Sequence, residues 1–289
     1  MERGDLRLAV LIDADNAPRT AIKDVMAEVA VYGTPTIKRI YGDWTSPNMA
    51  SWKPLLLENA IAPIQQYAYT TGKNATDSAM IIDAMDVLYS GRVDGFVLVS
   101  SDSDFTRLAT RLREAGMKVY GMGERKTPNP FIVACDKFVY IEVIRAAGER
   151  ERAAAKAERE KREPEPAKSA ARQPAKKKAP KKARQPEPEP KPAQPPESPA
   201  VPGAEQGVPP EVEELLADSL EAIADEDGYA FMGELGNFLL KKQPDFDPRN
   251  FGFSKLTKLF KALDRFEIDV RSTNLPHVKH IFVRDKNRK

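Results

Sequence analysis

The chain has 289 residues, enough for one or two domains, and a formal net charge of +2. Its single cysteine, Cys135, excludes an internal disulfide framework and a cysteine-based zinc cluster, and we expect it to be a small buried hydrophobic residue. The apolar run at residues 8–12 is too short for a signal sequence, and no window approaches the ~20 apolar residues of a membrane span. We therefore expect a soluble cytoplasmic protein that makes no membrane contact.

The first 147 residues alternate apolar, strand-like runs with amphipathic helical segments. The strand-like runs lie at 8–12, 36–41, 61–69, 96–100, 118–122 and 138–141. The helical segments lie at 18–31, 44–59, 77–90 and 105–115, and a charged stretch at 142–162 extends a last helix. Alternation of this kind predicts a doubly wound α/β fold, with a parallel sheet covered by helices on both faces.

Half of the prolines fall in one segment of the chain. Residues 148–206 contain 12 of the 24 prolines, 15 Lys or Arg and 10 Asp or Glu, with almost no large apolar side chain. Such a segment cannot bury enough apolar surface to offset the entropy of ordering, so we predict a disordered linker. The predicted organisation is a domain at 1–147, the linker at 148–206 and a second domain at 207–289. The basic run at 176–182 is either part of a soluble spacer or a contact for polyanions.

Two of the predicted strands end in carboxylates. Asp13 follows the strand at 8–12, and Asp102 and Asp104 follow the strand at 96–100. The carboxyl ends of the strands are where open α/β sheets bind ligands. Asp77 begins the helix at 77–90 after a loop from the same edge, so we expect all four carboxylates to lie together. Helix capping is the alternative for Asp104, because Asp is a preferred N-cap residue, but it explains one carboxylate of the set.

Four carboxylates in one place repel each other, and their pKa values rise unless a cation compensates. Oxygen ligands without His or Cys favour Mg²⁺ or Mn²⁺ over Zn²⁺. Sites of this kind are suited to phosphodiester hydrolysis, in which metal ions generate hydroxide and stabilise in-line displacement. The predicted catalytic and metal-ligating carboxylates are therefore Asp13, Asp77, Asp102 and Asp104.

Three polar residues near these carboxylates are further candidates. Asn16 could hold a ligand carboxylate or the attacking water, or instead cap the helix at 18–31. Lys73 could neutralise the substrate phosphate or be a solvated loop charge. Ser101 offers a hydroxyl to the same pocket, with turn formation as the alternative. We interpret Asp15, Asp83 and Asp86 as surface residues or local caps.

Three motifs carry a resemblance to a known family: Ile-Asp-Ala-Asp-Asn at 12–16, Lys-Asn-Ala-Thr-Asp at 73–77 and Val-Ser-Ser-Asp-Ser-Asp-Phe at 99–105. In this order they resemble the NYN domain, the LabA-like branch of the PIN nuclease superfamily, over about residues 6–145. The resemblance implies a PIN-like fold and a metal-dependent ribonuclease. Asp13, Asp77, Asp102 and Asp104 match the family's metal-associated carboxylates, and Asn16 matches its motif asparagine.

The part after the linker has the pattern of a small winged-helix domain of the α+β class. Helical faces at 212–223, 232–240 and 254–263 precede two strand-like segments at 266–271 and 278–284. Residues 207–240 contain no Lys or Arg, whereas residues 241–289 contain 13 basic and 6 acidic side chains. A basic face on such a module is suited to phosphate contact, a solvated amphipathic helix being the alternative. The predicted RNA-binding residues are Lys241, Lys242, Arg249, Lys255, Lys258 and Lys261.

A second resemblance lies in this part of the chain. The segment Asn-Phe-Gly-Phe-Ser-Lys-Leu-Thr-Lys-Leu-Phe-Lys-Ala-Leu at 250–263 is similar to the central motif of LOTUS (OST-HTH) domains, and the likeness covers roughly residues 208–286. It implies RNA binding, with guanine-rich or quadruplex RNA as a proposed target, and protein binding in some members.

We therefore expect a metal-dependent ribonuclease that uses Mg²⁺ or Mn²⁺. Its first domain cuts RNA, its second domain selects RNA, and the flexible linker keeps the two at high effective concentration. The alternative from another class is an RNA-binding adaptor with an inactive or weakly active acidic pocket. A third hypothesis assigns Asp13 and Asp15 to a haloacid-dehalogenase-type phosphatase, as nucleophile and acid. That mechanism needs a lysine late in the fold, which Lys73 fits poorly.

Overall fold

The computed structural model describes residues 5–67, 75–162, 208–272 and 279–287. The described residues up to Glu151 and those from 208 onward form one compact unit. A second unit is assigned to Arg152–Pro202, of which the described part continues a helix to Arg162. Most of the predicted linker, residues 163–206, lies outside the described residues, and its predicted start at 148 lies within this helix.

Among the described residues of the first part of the chain, six strands form a parallel sheet in the order β3-β2-β1-β4-β5-β6. The strands are β1 (Arg7–Asp13), β2 (Thr34–Gly42), β3 (Ala62–Gln65), β4 (Gly95–Val99), β5 (Lys118–Gly123) and β6 (Lys137–Tyr140). β1 and β4 are neighbours, with Ile12 opposite Val99. The order reverses between these two strands, and ligands of doubly wound sheets bind at such a switch point. The predicted fold class is confirmed.

Helices cover both faces of this sheet. They are α1 (Ile22–Tyr32), α2 (Lys53–Asn59), α3 (Ala75–Ser90), α4 (Thr106–Glu114), α5 (Asn129–Ala134) and α6 (Ile141–Arg162). Alternate residues of β1 enter different cores, because Leu8 and Val10 pack with α1 and α2, whereas Ala9 and Leu11 pack with α3 and α4. This burial on both faces explains why the strand is continuously apolar.

Several predicted boundaries differ from those of the structure. The helix predicted at 44–59 consists of a 3-10 segment, Pro47–Trp52, followed by α2, and each piece has its proline in the first turn, where proline fits. The strand predicted at 61–69 is shorter, and residues 68–74, including Lys73, lie outside the described residues. α5 occupies a segment for which no helix was predicted. Cys135 is buried as expected, and burial raises the pKa of its thiol to about 12.

The carboxy-terminal part is a small α+β domain, as predicted. Its elements are α7 (Pro210–Glu221), β7 (Tyr229–Phe231), α8 (Met232–Lys242), α9 (Leu256–Ala262), β8 (Phe266–Ser272) and β9 (Lys279–Asp285). Its core joins all three helices to the sheet through residues such as Leu216, Leu235, Leu259 and Val283. β7 was not predicted, and its pairing with β9 makes an antiparallel sheet of order β7-β9-β8 from the described residues.

This domain contacts the edge of the parallel sheet directly. The backbone N–H of Phe138 in β6 donates to the carbonyl oxygen of Pro244 at 2.9 Å. The hydroxyl of Tyr140 donates to Asp245 Oδ2 at 2.7 Å. A loop between α8 and α9 therefore continues the hydrogen bonding of the edge strand β6.

Arg249 makes the second contact between the two domains. Its two terminal nitrogens donate to the two carboxylate oxygens of Glu28 in α1, each at 2.7 Å. The same guanidinium also donates to Asp247, and Glu28 in turn accepts a hydrogen bond from the Tyr32 hydroxyl at 2.6 Å. The polar network thus joins α1 to the loop that precedes α9. None of the helices in the described residues has the length and apolarity of a membrane span.

Candidate functional site

The sheet order brings the predicted acidic residues to one edge. Asp13 is the last residue of β1, where its Cα pairs with Tyr41 of β2, and Asp102 follows the end of β4 by three residues. Asp77 lies in the first turn of α3. All three positions are therefore at the carboxyl edge of the sheet beside its switch point.

Three carboxylates form a compact group at this edge. One oxygen from each of Asp77, Asp102 and Asp104 lies within 4.8 Å of the other two. Asp77 and Asp102 are partly buried and Asp104 is exposed, so the group opens to solvent on one side. Among the residues that the structure describes, this group contains neither His nor Cys. An all-oxygen set of this size fits a hard divalent cation such as Mg²⁺ or Mn²⁺.

Asp13 is fully buried behind this group, and its carboxylate already accepts four hydrogen bonds. Oδ1 accepts from the backbone N–H groups of Asp15 at 3.0 Å and Asn16 at 3.3 Å. Oδ2 accepts from Asn16 Nδ2 at 2.8 Å and from Ser100 Oγ at 2.8 Å. A carboxylate offers about four lone-pair positions, so a cation could bind Asp13 directly only by displacing one of these donors. The predicted ligand role of Asp13 stays a prediction.

Asn16 and Ser100 connect Asp13 to its surroundings. Asn16 donates to Asp13, whereas the helical segment that follows has Pro18 at its N-cap and no side-chain cap, so the capping alternative for Asn16 does not hold. Ser100 donates to Asp13 and accepts from the backbone N–H of Asp102 at 3.1 Å. The buried carboxylate therefore fixes the loop that carries Asp102.

Hydrogen bonds also decide which residue caps the turn after β4. Asp102 Oδ1 accepts from the backbone N–H of Asp104 at 2.9 Å, which makes Asp102 the N-cap of the 3-10 segment Ser103–Phe105. α4 begins after Phe105 without a side-chain cap. The residue that caps this turn is therefore Asp102, and not Asp104 as the alternative had it. Ser101 is buried and its hydroxyl oxygen accepts from the backbone N–H of Glu124 at 2.9 Å, which ties the loop after β4 to the end of β5.

The electrostatics of the edge are dominated by negative charge. Partial burial, followed by the charges of Asp13, Asp102, Asp104 and Asp15, raises the pKa of Asp77 to about 6. The pKa of Asp15 is also raised, mainly by burial and further by Asp13 and Asp43, although a hydrogen bond with Thr76 opposes the rise. This shared repulsion favours a bound cation.

Two further acidic residues were interpreted as surface residues or local caps. Asp15 is exposed, as expected, and its charge also acts on Asp77 at the edge of the group. Sequence reasoning missed the role of Asp83, which is partly buried and whose carboxylate contacts both Arg39 and Tyr41 of β2. These contacts hold α3 on the sheet and so position Asp77, and no sequence signal links residues so far apart.

The predicted RNA-binding residues fall into two groups. Five lysines are exposed near the carboxyl end of α8, at the N-cap of α9 and along α9: Lys241, Lys242, Lys255, Lys258 and Lys261. Arg249 differs, because its guanidinium is occupied by Glu28 and Asp247 and its side chain is 23% exposed. The structure thus gives Arg249 a contact between the two domains that the sequence did not suggest.

Comparison with known proteins identifies two domains. A family model for the NYN domain matches residues 7–142, and one for the OST-HTH/LOTUS domain matches residues 207–278. Among solved structures, the chain is similar to a protein of unknown function from Vibrio parahaemolyticus RIMD 2210633, with 22% identity, 49% of this chain and 96% of that chain covered, and a TM-score of 0.41. It is also similar to an uncharacterized protein from Nitrosomonas europaea, with 33% identity, 34% and 91% coverage, and a TM-score of 0.26. No curated protein matches the chain.

Proposed function

We propose that this chain, which contains an NYN domain followed by an OST-HTH/LOTUS domain, is a metal-dependent ribonuclease. The combination of these two domains supports the hypothesis that the chain is a nuclease directed to RNA. The observation that carries the proposal is the group of three carboxylates, Asp77, Asp102 and Asp104, within 4.8 Å of one another at the edge where such sheets bind ligands.

Asp77, Asp102 and Asp104 would hold the metal, for which we propose Mg²⁺ or Mn²⁺. Their all-oxygen chemistry suits either ion, and the raised pKa of Asp77 reflects its partial burial first and then the repulsion from neighbouring carboxylates, which a cation relieves. When bound, the ion supplies water activation and charge stabilisation for phosphodiester hydrolysis.

The chain's own residues set the geometry of the pocket. Asp13 and Ser100 fix the loop that carries Asp102, and Asn16 orients Asp13. The contact of Asp83 with β2 fixes α3, and with it Asp77. We keep Lys73 and Ser101 as proposed contacts of the substrate, although Lys73 lies outside the described residues.

We propose that the OST-HTH/LOTUS domain selects the RNA. The five exposed lysines of α8 and α9 offer phosphate contacts, and guanine-rich or quadruplex RNA is the proposed target. Protein partners of this domain and a cytoplasmic location remain predictions from the sequence.

The test is cleavage of labelled RNAs in single-stranded, hairpin and guanine-quadruplex forms, each with Mg²⁺, Mn²⁺ or EDTA. The parent is compared with the double variant Asp102→Asn/Asp104→Asn. Asp86→Asn is the matched control, because Asp86 is an exposed carboxylate on the same helix as Asp77 but outside the group. Manganese binding, followed by electron paramagnetic resonance, gives a readout that does not depend on activity.

We expect cleavage that requires the metal, is lost in the double variant and persists in Asp86→Asn. The double variant should also lose manganese binding. Cleavage that survives in the double variant would belong to a contaminant and would refute the site. A parent that binds RNA and manganese but never cleaves would establish the adaptor alternative.

A further inference from the structure

The sheet of the OST-HTH/LOTUS domain has an outward face that carries aromatic rings. Side chains alternate along a strand, so β9 sends Val283 into the core and Phe282 to the other side. Phe231 is directly opposite Phe282 in the register, and Tyr229 is opposite Arg284. Both rings of β7 therefore lie on the outward side with Phe282.

Ring and guanidinium contacts join these residues into one layer. The Phe231 centroid lies 5.8 Å from that of Phe282 and 5.2 Å from that of His280. The Arg271 guanidinium lies 4.2 Å from the Phe282 centroid and 4.9 Å from the Tyr229 centroid. Arg284 also lies over the Tyr229 ring, at 4.9 Å. We refer to the layer as the aromatic face: Tyr229, Phe231, Arg271, His280, Phe282 and Arg284.

The aromatic face is partly accessible to solvent, because Tyr229, Phe231 and Phe282 are half-buried. His280 is exposed, and the side chains of Arg271 and Arg284 are 44% and 41% exposed. An antiparallel sheet with one face on a core usually has a polar outward face. The three half-buried rings are not part of the domain's hydrophobic core, so they form an apolar layer on the side of the sheet where polar residues are usual.

The charges on the face limit what it binds. Arg271 is paired with Asp269 at 2.8 Å and Arg284 is paired with Glu267, so the two guanidinium charges are balanced on the same face. A phosphate backbone gains little from such a face. The guanidinium planes lie over the Phe282 and Tyr229 rings and are partly exposed, so they and the ring surface that they leave uncovered can stack with a flat ligand. Unpaired bases of RNA stack on aromatic side chains and on Arg planes, while bases inside a duplex are not accessible to them.

We propose that the aromatic face stacks the unpaired bases of single-stranded RNA, while the exposed lysines of α8 and α9 contact its phosphates. The inference rests on the RNA-directed function proposed above and adds the chemical feature of the RNA that is read. The face itself requires unstacked bases and adds no base preference, because every base has a π-face; a preference of the domain for guanine-rich RNA would come from its other contacts.

The test uses the full chain in EDTA and fluorescein-labelled oligo(U), oligo(A) and their duplex, with binding followed by fluorescence anisotropy. Phe231→Leu and Phe282→Leu remove a ring but retain apolar volume. Each should weaken binding of the single strands at least ~5-fold, in line with the stacking contribution of one base, and leave duplex binding unchanged. The dependence of affinity on salt should not change, because neither variant removes a charge.

Two further variants separate stacking from other effects. Tyr89→Leu removes a ring that is 74% exposed on α3 of the NYN domain, and it should bind RNA as the parent does. Lys258→Ala removes a proposed phosphate contact, and it should lower the slope of log affinity against log salt by ~0.7 for single strands. Circular dichroism and thermal unfolding verify that each variant is folded.

Parental affinity in both folded phenylalanine variants would overturn the proposal, as would equal binding of duplex and single strand by the parent. A parent that binds neither single strand would overturn it too. If the variants instead abolish self-association in sedimentation and keep parental RNA affinity, the face is a contact between copies of the chain. Metal-dependent cleavage by the same preparations is measured separately. Failure of the stacking proposal therefore leaves the ribonuclease proposal intact, and absence of cleavage leaves the stacking proposal intact.

Discussion

Arg249→Ala should weaken the contact between the two domains and lower the free energy of unfolding. The Arg249 guanidinium donates two parallel hydrogen bonds to Glu28 and further bonds to Asp247. The side chains of the two carboxylates are 10% and 7% exposed, so the variant would leave two largely buried charges without their common cation.

The expected cost follows from this burial. Removing one partner of a buried ion pair typically costs about 3–5 kcal/mol, most of it the penalty for the charge that is left. We expect about 3 kcal/mol here, because the Arg249 side chain is partly exposed. Burial alone would raise the pKa of Glu28, but hydrogen bonds from Arg249 and Tyr32 outweigh it and lower that pKa. The contribution of the pair is therefore complete above the unfolded pKa of about 4.3 and is lost as pH falls through the lower folded value.

The assay is urea unfolding, followed by tryptophan fluorescence and far-ultraviolet circular dichroism. Both tryptophans, Trp44 and Trp52, lie in the NYN domain, so fluorescence reports on that domain while circular dichroism reports on both. Hydrogen exchange of the Phe138 amide, which donates to Pro244, reports on the domain contact itself. We expect Arg249→Ala to accelerate this exchange and to separate the two unfolding transitions.

Arg7→Ala is the matched control. Arg7 also forms a bidentate ion pair, with Asp94, but these two side chains are 50% and 38% exposed. Exposed pairs typically contribute below about 1 kcal/mol. The reasoning is refuted if Arg249→Ala costs no more than Arg7→Ala and leaves exchange at Phe138 unchanged. Glu28→Gln, alone and combined with Arg249→Ala, completes a double-mutant cycle. A coupling free energy near zero between the two residues would also refute the proposed contribution of the pair.

Three other predictions concern the acidic edge. Gly123→Ala should destabilise the protein by about 1–3 kcal/mol in urea unfolding, because a Cβ there would lie 2.6 Å from the carbonyl oxygen of Ser100. It should also reduce RNA cleavage. A variant as stable as the parent would contradict this close packing. Asp77→Asn should raise the melting temperature of the metal-free protein at pH 7.5 by about 1–3 °C, because it removes a charge that partial burial and the neighbouring carboxylates both disfavour. It should also remove any stabilisation by Mn²⁺. A lowered melting temperature of the metal-free protein would contradict this account of the Asp77 charge. Asp15→Ala should retain RNA cleavage, measured on the same labelled RNAs, whereas its loss would favour the phosphatase hypothesis.

The sequence predicted the layout of the NYN domain because the relevant signals are local. The continuous apolar run of β1 reflects burial on both faces of a parallel sheet, which any such strand needs. Once the sheet is parallel, the carboxyl ends of its strands share an edge, so residues that follow those ends are brought together. Asp102 and Asp104 were found in this way, and Asp77 was found because it begins a helix at that edge.

The partners of individual polar groups could not be predicted in the same way. Asp13 and Asp102 have similar sequence surroundings, yet Asp13 is saturated with donors and Asp102 faces the open group. Asp83 pairs with β2 across more than forty residues of sequence. Which donor reaches which carboxylate depends on distances of a few tenths of an ångström, and the spacing of residues along the chain does not contain them.

The sequence by itself determined the fold class and the place of the acidic group, because apolar periodicity and strand direction follow from backbone geometry. It also determined the small carboxy-terminal domain and the basic half of its surface. The tertiary structure decided that the two domains touch, where the sequence had predicted coupling through a flexible linker alone. It moved Arg249 from the predicted RNA-binding set to that contact and placed aromatic rings on the outward face of the second sheet. Both outcomes depend on which surfaces meet, and surface complementarity between elements distant in sequence exists only in the folded chain.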